Sequence, residues 1–218
     1  MMKVLSTNVG RPQEYEWHGQ RVTTAIFKNP VEGPVAVRTL NLAGDEQADL
    51  TVHGGADKAV YVYPHEHYAY WRLQLPDYPL TLGNFGENLT VEGVSEETIC
   101  IGDQLQVGTA LFTVTQPRSP CYKLGIRFSR DDMTKRFYDS RRFGFYMKVL
   151  GEGHLEAGAT ITVVDRDPNG VSLADVIRLY TGDSHDRALL GRAVRVSTLP
   201  EGWRMALQDR LDGKSARN

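Results

Sequence analysis

The chain has 218 residues, 41% of them apolar and 24% charged, with 21 Gly, 10 Pro and a formal net charge of -2. At this length roughly 70% of the surface exposed by the unfolded chain can be buried, so the composition fits one main soluble domain and excludes collagen-like, mostly disordered and coiled-coil architectures. A net charge this small gives no global pull toward nucleic acid or anionic lipid, and no run of eighteen apolar residues offers a spanning helix.

Strands are predicted at Thr24–Phe27 and Val35–Leu42, with Asn29-Pro30 and Gly33-Pro34 as the turns between them. A short helix is expected from Pro64 through Tyr68, Trp71 and Leu73 to a stop at Pro76. Strands resume at Asn88–Val91, Thr98–Ile101, Asp103–Val107 and Ala110–Val114, with tight turns at Gly102-Asp103 and Gly108-Thr109. A helical pair is placed between Tyr122 and Tyr138, followed by strands at Phe145–Leu150 and Thr160–Val164. Past a loop at 165–170, Ser172 reads as an N-cap with Asp175 three residues on, and Leu173, Val176, Ile177 and Tyr180 recur at helical spacing as far as Gly182. Two more helical stretches, Arg187–Leu199 and Pro200–Leu211, complete the chain. The expectation is a mainly β (α+β) fold: a closed or nearly closed β-barrel over 1–168 with short flanking helices, and a three-helix module over 171–218.

Gln116–Leu124 is the segment richest in chemistry. Pro117 and Pro120 stiffen the backbone ahead of Cys121, Arg118 and Lys123 flank it, and a helix is expected to start there, all of which favour a positioned thiolate. Cys100 sits between Ile99 and Ile101 without a cationic neighbour and reads as structural. With only these two cysteines and no apolar leader at Met1–Ser6, a disulfide framework is not expected, and the cytoplasm is the expected location. In Asp49–Lys58, Gly54-Gly55 lets backbone N–H groups approach a ligand while His53, Asp57 and Lys58 add donors and charge, although the spacing fits neither a Walker loop nor a dinucleotide fingerprint. A third Gly-rich loop, Gly83–Asn88, carries Glu87 and Asn88. His65 and His67, two residues apart, do not form the paired ligands of a metalloprotease helix. Basic residues outnumber acidic ones from Arg118 to Arg142, consistent with a solvated helix face or an anion-binding surface.

Gly44-Asp45, Val52–Pro64, Gly86–Leu89, Gly102-Asp103 and Gln116–Leu124 follow one another in the order seen in MOSC-domain proteins. The chain resembles the YiiM-like branch of that family, which carries a three-helix C-terminal module. The resemblance implies a β-barrel that binds a molybdenum–pterin cofactor, with Cys121 as metal thiolate and catalytic residue. His53, Gly54, Gly55, Asp57, Lys58, Glu87, Asn88, Arg118, Ser119 and Lys123 would surround the cofactor. It further implies reduction of N-hydroxylated compounds, such as hydroxylaminopurines, to the amine and water. Electrons would come from a separate reductase or a ferredoxin-like protein. Pyridoxal phosphate is not expected, because the chain is too short for the upstream sulfurase domain of fused relatives and shows no cofactor lysine motif. Neither a membrane nor nucleic acid is an expected partner, and a homodimer is left open. The three-helix module, with no cysteine, is expected to serve docking or dimerisation rather than metal ligation. Two other readings stand beside this one: a carrier holding sulfur or cofactor through a Cys121 persulfide, and a nucleic-acid-binding module using residues 118–142.

Overall fold

The computed structural model describes residues 1–48, 54–182 and 186–214. Strand β1 (Lys3–Val9) precedes a hairpin of β2 (Gln13–Trp17) and β3 (Gln20–Thr24), then β4 (Asn29–Val31), β5 (Val35–Arg38) and β6 (Asn41–Leu42). A single 3-10 turn at Ala56–Lys58 leads into β7 (Val60–Pro64) and helix α1 (Glu66–Gln74), followed by β8 (Leu89–Glu92), β9 (Gln104–Val107) and β10 (Ala110–Pro117). Helices α2 (Lys123–Phe128) and α3 (Met133–Ser140) separate β10 from β11 (Phe145–Gly151), β12 (Gly153–Leu155) and β13 (Ile161–Asp165). The chain ends in α4 (Leu173–Thr181), α5 (Arg187–Arg195) and α6 (Glu201–Leu211).

The main sheet has eight strands in the order β13-β9-β10-β11-β7-β8-β1-β4, with β7 and β8 parallel. It does not close into a barrel. No ladder joins β4 to β13 among the described residues; instead the start of β1 meets the approach to β13 through Val4 N to Ala159 O (2.9 Å), Gly158 N to Val4 O (2.8 Å) and Ile161 N to Met2 O (2.9 Å). The sheet-rich α+β class is as expected, while closure is confined to this stitch at one end of the two strands.

Strand β7 explains why the sheet has two cores. Its five residues, Val-Tyr-Val-Tyr-Pro, are all buried, and alternation sends them to opposite faces. Val60 and Val62 enter an aliphatic core with Val4, Leu105, Phe112 and Met147; Tyr61 and Tyr63 enter an aromatic core with Tyr68, Trp71, Phe85 and Phe137. Leu173, Val176, Leu179, Leu189 and Leu207 belong to the same aliphatic core as the sheet, so the C-terminal helices share its interior instead of hanging from it. Gly144 is required where β11 begins: its φ is 62°, and a Cβ there would stand 2.4 Å from Val62 O.

Helices α1 to α6 fall close to their predicted places, and Ser172 and Asp175 form a reciprocal capping box on α4. The strands depart in particular places. The predicted strand at Thr24–Phe27 stops at Thr24, and Asn29-Pro30 is part of β4, an edge strand that tolerates proline. Val35–Leu42 folds back as the β5–β6 pair. Thr98–Ile101 is a loop with one bridge, Cys100 to Ser172, because Asp103 takes the Cys100 N–H (2.9 Å) that a ladder would have used. No helix among the described residues is long and apolar enough to cross a membrane.

Candidate functional site

Strand β10 delivers the cysteine segment. Its register against β11 shifts between Val114 and Gln116, and the chain then runs through Arg118, whose N–H donates to Gly144 O (3.2 Å). Leu124 N donates to Cys121 O (3.0 Å), so the backbone turns into α2 directly after the cysteine. The partly exposed thiol lines a pocket whose cationic groups come from four separate places: Lys28 after β3, Lys58 before β7, Arg118 after β10 and Lys123 at the start of α2.

Arg118 is only 7% exposed. Its Nη1 donates to Phe85 O (2.9 Å), and the guanidinium lies 4.8 Å from the Tyr61 ring centroid and 5.4 Å from that of Phe137. Burial alone would lower its pKa, but Tyr61, Tyr146 and the Cys121 sulfur hold it above its usual range, so its positive charge is fixed in the pocket. Burial also raises the hydroxyls of Tyr61 and Tyr146 above the ordinary tyrosine value, with Arg118 opposing. Both phenols keep their protons at neutral pH.

Lys28 and Asp45, 8% and 5% exposed, form a buried ion pair that also lines the pocket. Asp45 also accepts from Gly10 N (2.8 Å) and Asn88 Nδ2 (2.8 Å), while Asn88 Oδ1 accepts from Tyr61 N (3.0 Å). Burial depresses the Lys28 ammonium against the opposing pull of Asp45.

The predicted residues divide into three groups. Cys121, Lys58, Asn88, Arg118, Ser119 and Lys123 meet in the pocket. Gly54, Gly55 and Asp57 line an adjoining groove of about 520 Å³, joined to the pocket through Lys58 and Ser119, which border both. Gly55 N already donates to Gln47 Oε1 (2.8 Å), and Asp57 pairs with Lys148 at 3.6 Å. Glu87 lines neither cavity: fully buried, it accepts from Tyr68 Oη (2.5 Å), Gly83 N (2.9 Å), Phe85 N (3.0 Å) and Thr90 Oγ1 (2.8 Å), and burial pushes its carboxyl up. It organises the 83–90 loop that carries Asn88 to the site. His53 lies outside the described residues.

Lys28, Asp45, Tyr61 and Tyr146 were not among the predicted site residues. Asp45 stands in the Gly44-Asp45 segment, and a carboxylate that becomes buried needs a buried cation, which is the signal that leads to Lys28. The basic stretch beyond Arg118 is largely neutralised on its own surface: Asp132 binds Arg130 and Arg136, Asp139 binds Lys135, and Arg142 covers Tyr70 at 4.0 Å. At Cys100, burial and the nearby Asp103 carboxylate raise the thiol.

This donor set suits one kind of guest. Among the described residues no group of three or more His, Cys, Asp or Glu side chains is placed to hold a metal ion. One soft thiol amid four cationic side chains fits instead a metal brought in by its own anionic organic ligand, with the protein adding a single sulfur.

The MOSC domain family model matches residues 49–162, and the YiiM-like, 3-alpha helix domain model matches residues 171–214. The protein YflK of Bacillus subtilis (strain 168) is 40% identical over 209 residues, 96% of this chain and 94% of that one. A protein named "Reductase" from Gibberella moniliformis is 35% identical over 181 residues, 82% of this chain and 32% of the longer protein. The crystal structure of YiiM from Geobacillus stearothermophilus superposes with a TM-score of 0.81 at 36% identity, covering 97% of this chain and all of that one.

Proposed function

The chain belongs to the MOSC domain family and carries the YiiM-like three-helix domain, and on that footing we propose that it is a molybdenum-cofactor-dependent reductase of N-hydroxylated compounds. The reaction is R–NH–OH + 2e⁻ + 2H⁺ → R–NH₂ + H₂O, in which the N–O bond breaks and the oxygen leaves as water. The observation that carries the reading is the single Cys121 thiol on the wall of a pocket lined by Lys28, Lys58, Arg118 and Lys123. The similarity to a protein named as a reductase supports the reaction class.

When bound, the molybdenum–pterin group supplies the two-electron redox chemistry. Cys121 offers its sulfur to the metal, the soft ligand the site contains. Arg118, Lys58 and Lys123 bind the anionic part of the cofactor, with Arg118 held in place by Phe85 O and the Tyr61 face. Asn88, fixed between Asp45 and Tyr61 N, sets the position of its loop against the pocket. Tyr146 Oη, kept protonated by burial, and Lys28 Nζ, paired with Asp45, provide polar hydrogen-bond donors at the pocket wall. A separate reductase or ferredoxin-like protein delivers the electrons.

The test compares protein made in a cofactor-competent host with protein from a cofactor-deficient one. Molybdenum and pterin are measured per chain, and hydroxylaminopurine reduction is assayed with an artificial electron donor. Near-stoichiometric metal and activity only in the first sample are expected. A chain from the competent host that holds labile sulfur on Cys121 and no molybdenum overturns the reading in favour of a sulfur carrier.

A further inference from the structure

His67 on α1 and Glu96 in the loop after β8 lie outside the Cys121 pocket, on the wall of a separate cleft of about 930 Å³. Glu96 is 8% exposed and accepts from His67 Nε2 (2.8 and 3.0 Å) and from Gly144 N (3.1 Å). Burial pushes its carboxyl up, but His67 and the backbone donors outweigh burial and keep it an anion. A loop tie alone does not require a buried charge, whose desolvation a neutral acceptor would avoid.

The peptide unit joining Phe143 to Gly144 is held at both ends. Its N–H donates to Glu96, and its carbonyl, Phe143 O, accepts from Tyr61 Oη (2.8 Å). Because the unit is planar, fixing one end sets the direction of the other. Tyr61 is a ring against which the Arg118 guanidinium rests, at 4.8 Å, and the next carbonyl along, Gly144 O, accepts from Arg118 N (3.2 Å). One short segment therefore sets both the backbone and the guanidinium of Arg118. Gly144, at a φ of 62°, has no side chain to restrain it, so the bond to Glu96 supplies the restraint.

We propose that Glu96, clamped by His67, is a positioning residue for Arg118: acting through the Phe143–Gly144 peptide from outside the pocket, it fixes where the buried cation stands. A guanidinium fork grips an oxyanion well only when both donors are in line, so a small displacement of Arg118 weakens its hold. The inference rests on the reductase reading only for what Arg118 holds, the anionic part of the molybdenum–pterin group. The placement of Arg118 is independent of it.

Two readouts test this. The first is the Arg118 Nε–Hε resonance in nitrogen–proton NMR spectra of the full chain without cofactor, assigned with Arg118→Lys; the Tyr61 ring beside the guanidinium gives that resonance a ring-current shift. The second is affinity for the molybdenum–pterin cofactor, measured by loading at limiting cofactor. Glu96→Ala should move the resonance toward its solvent-exposed position and weaken the cofactor about tenfold, the scale of one lost hydrogen bond to a charged group. Glu96→Gln keeps an oxygen for Gly144 N and should restore both, whereas His67→Ala, which loosens the carboxylate without removing it, should fall between them. Leu189→Ala, a core truncation in α5, should lower the melting temperature and leave the resonance in place. Exposed Glu97→Ala should change neither readout. A folded Glu96→Ala with the wild-type resonance and wild-type cofactor affinity overturns the inference, as does an equal displacement in Leu189→Ala, which would make the shift a report of stability alone. Should Glu96→Ala fail to fold, His67→Ala decides: an unmoved resonance overturns the inference, and a moved one supports it. A resonance that depends on Glu96 in a chain that takes up no molybdenum–pterin defeats the cofactor reading and leaves the positioning role standing.

Discussion

Replacing Glu87 with alanine separates a loop-organising role from a cofactor contact. The side chain is fully buried, and removing it strips an acceptor from Gly83 N, Phe85 N and Tyr68 Oη, with Thr90 Oγ1 as a fourth donor able to rotate away. A buried donor left unmatched costs about 1–3 kcal/mol, so the variant should lose about 4 kcal/mol net once relief from burying a carboxylate is set against it. For a chain of this size that corresponds to roughly 8–16 °C in melting temperature. The sign of the pH dependence follows from burial. Because the folded carboxyl titrates above its unfolded value, its contribution to stability is greatest below the unfolded pKa and declines as pH rises through the folded one. The gap between wild type and Glu87→Ala should therefore widen toward acid pH. Thermal unfolding followed by circular dichroism at several pH values, alongside molybdenum content of the folded fraction, measures both. A melting temperature within about 3 °C of wild type together with lost cofactor would refute the reasoning and return Glu87 to the binding site.

Lys28→Met leaves Asp45 as an uncompensated buried anion and should cost about 3–5 kcal/mol in urea unfolding, with Lys28→Met/Asp45→Asn recovering part of it; additive losses would show that the pair is not coupled. Glu96 is held below the usual carboxylate range because, although burial pushes it up, His67 and the Gly144 N–H outweigh burial. That stability is present above the ordinary carboxylate pKa and lost as pH falls through the depressed value, so His67→Ala should move the acid-unfolding midpoint upward; an unchanged midpoint contradicts it. Gly144→Ala, which puts a Cβ 2.4 Å from Val62 O at a φ of 62°, should cost upward of about 3 kcal/mol, and a variant melting within 2 °C or so of wild type would show that β11 can start elsewhere.

Much of the helical architecture was legible because its signals are local. Ser172 and Asp175 name their own capping box, and the apolar spacing after them is helical whatever packs against it. The strands that were missed needed partners to be recognised. Val60–Pro64 reads as a lead-in to a helix until β8 and β11 close on both sides and turn its alternation into two buried faces. At the site, Cys121, Arg118 and Lys123 were legible through proline bracing and charge within one segment. Lys28 and Asp45 are seventeen residues apart and become a pair only when the loops after β3 and β6 converge. Glu87 reads as a ligand residue because a Gly-rich loop with a carboxylate looks alike whether the carboxylate faces out or in; in the structure it is bonded to four inward donors. Nothing in the sequence of the three-helix module announces that Trp203 bonds to Gln116 of the sheet or that Tyr180 lies on the same groove as Ser119.

The most direct measurement is molybdenum-edge X-ray absorption on wild type, Cys121→Ser and Cys100→Ser from a cofactor-competent host, with hydroxylaminopurine reduction assayed on the same samples at equal metal loading. Serine keeps the size of cysteine but offers a hard, poorly ionised oxygen in place of a soft sulfur. Cys100→Ser should match the wild-type spectrum and activity, whereas Cys121→Ser should lose one sulfur neighbour at the metal together with the activity. An unchanged molybdenum environment and full activity in Cys121→Ser would contradict the assignment of Cys121 as the metal thiolate.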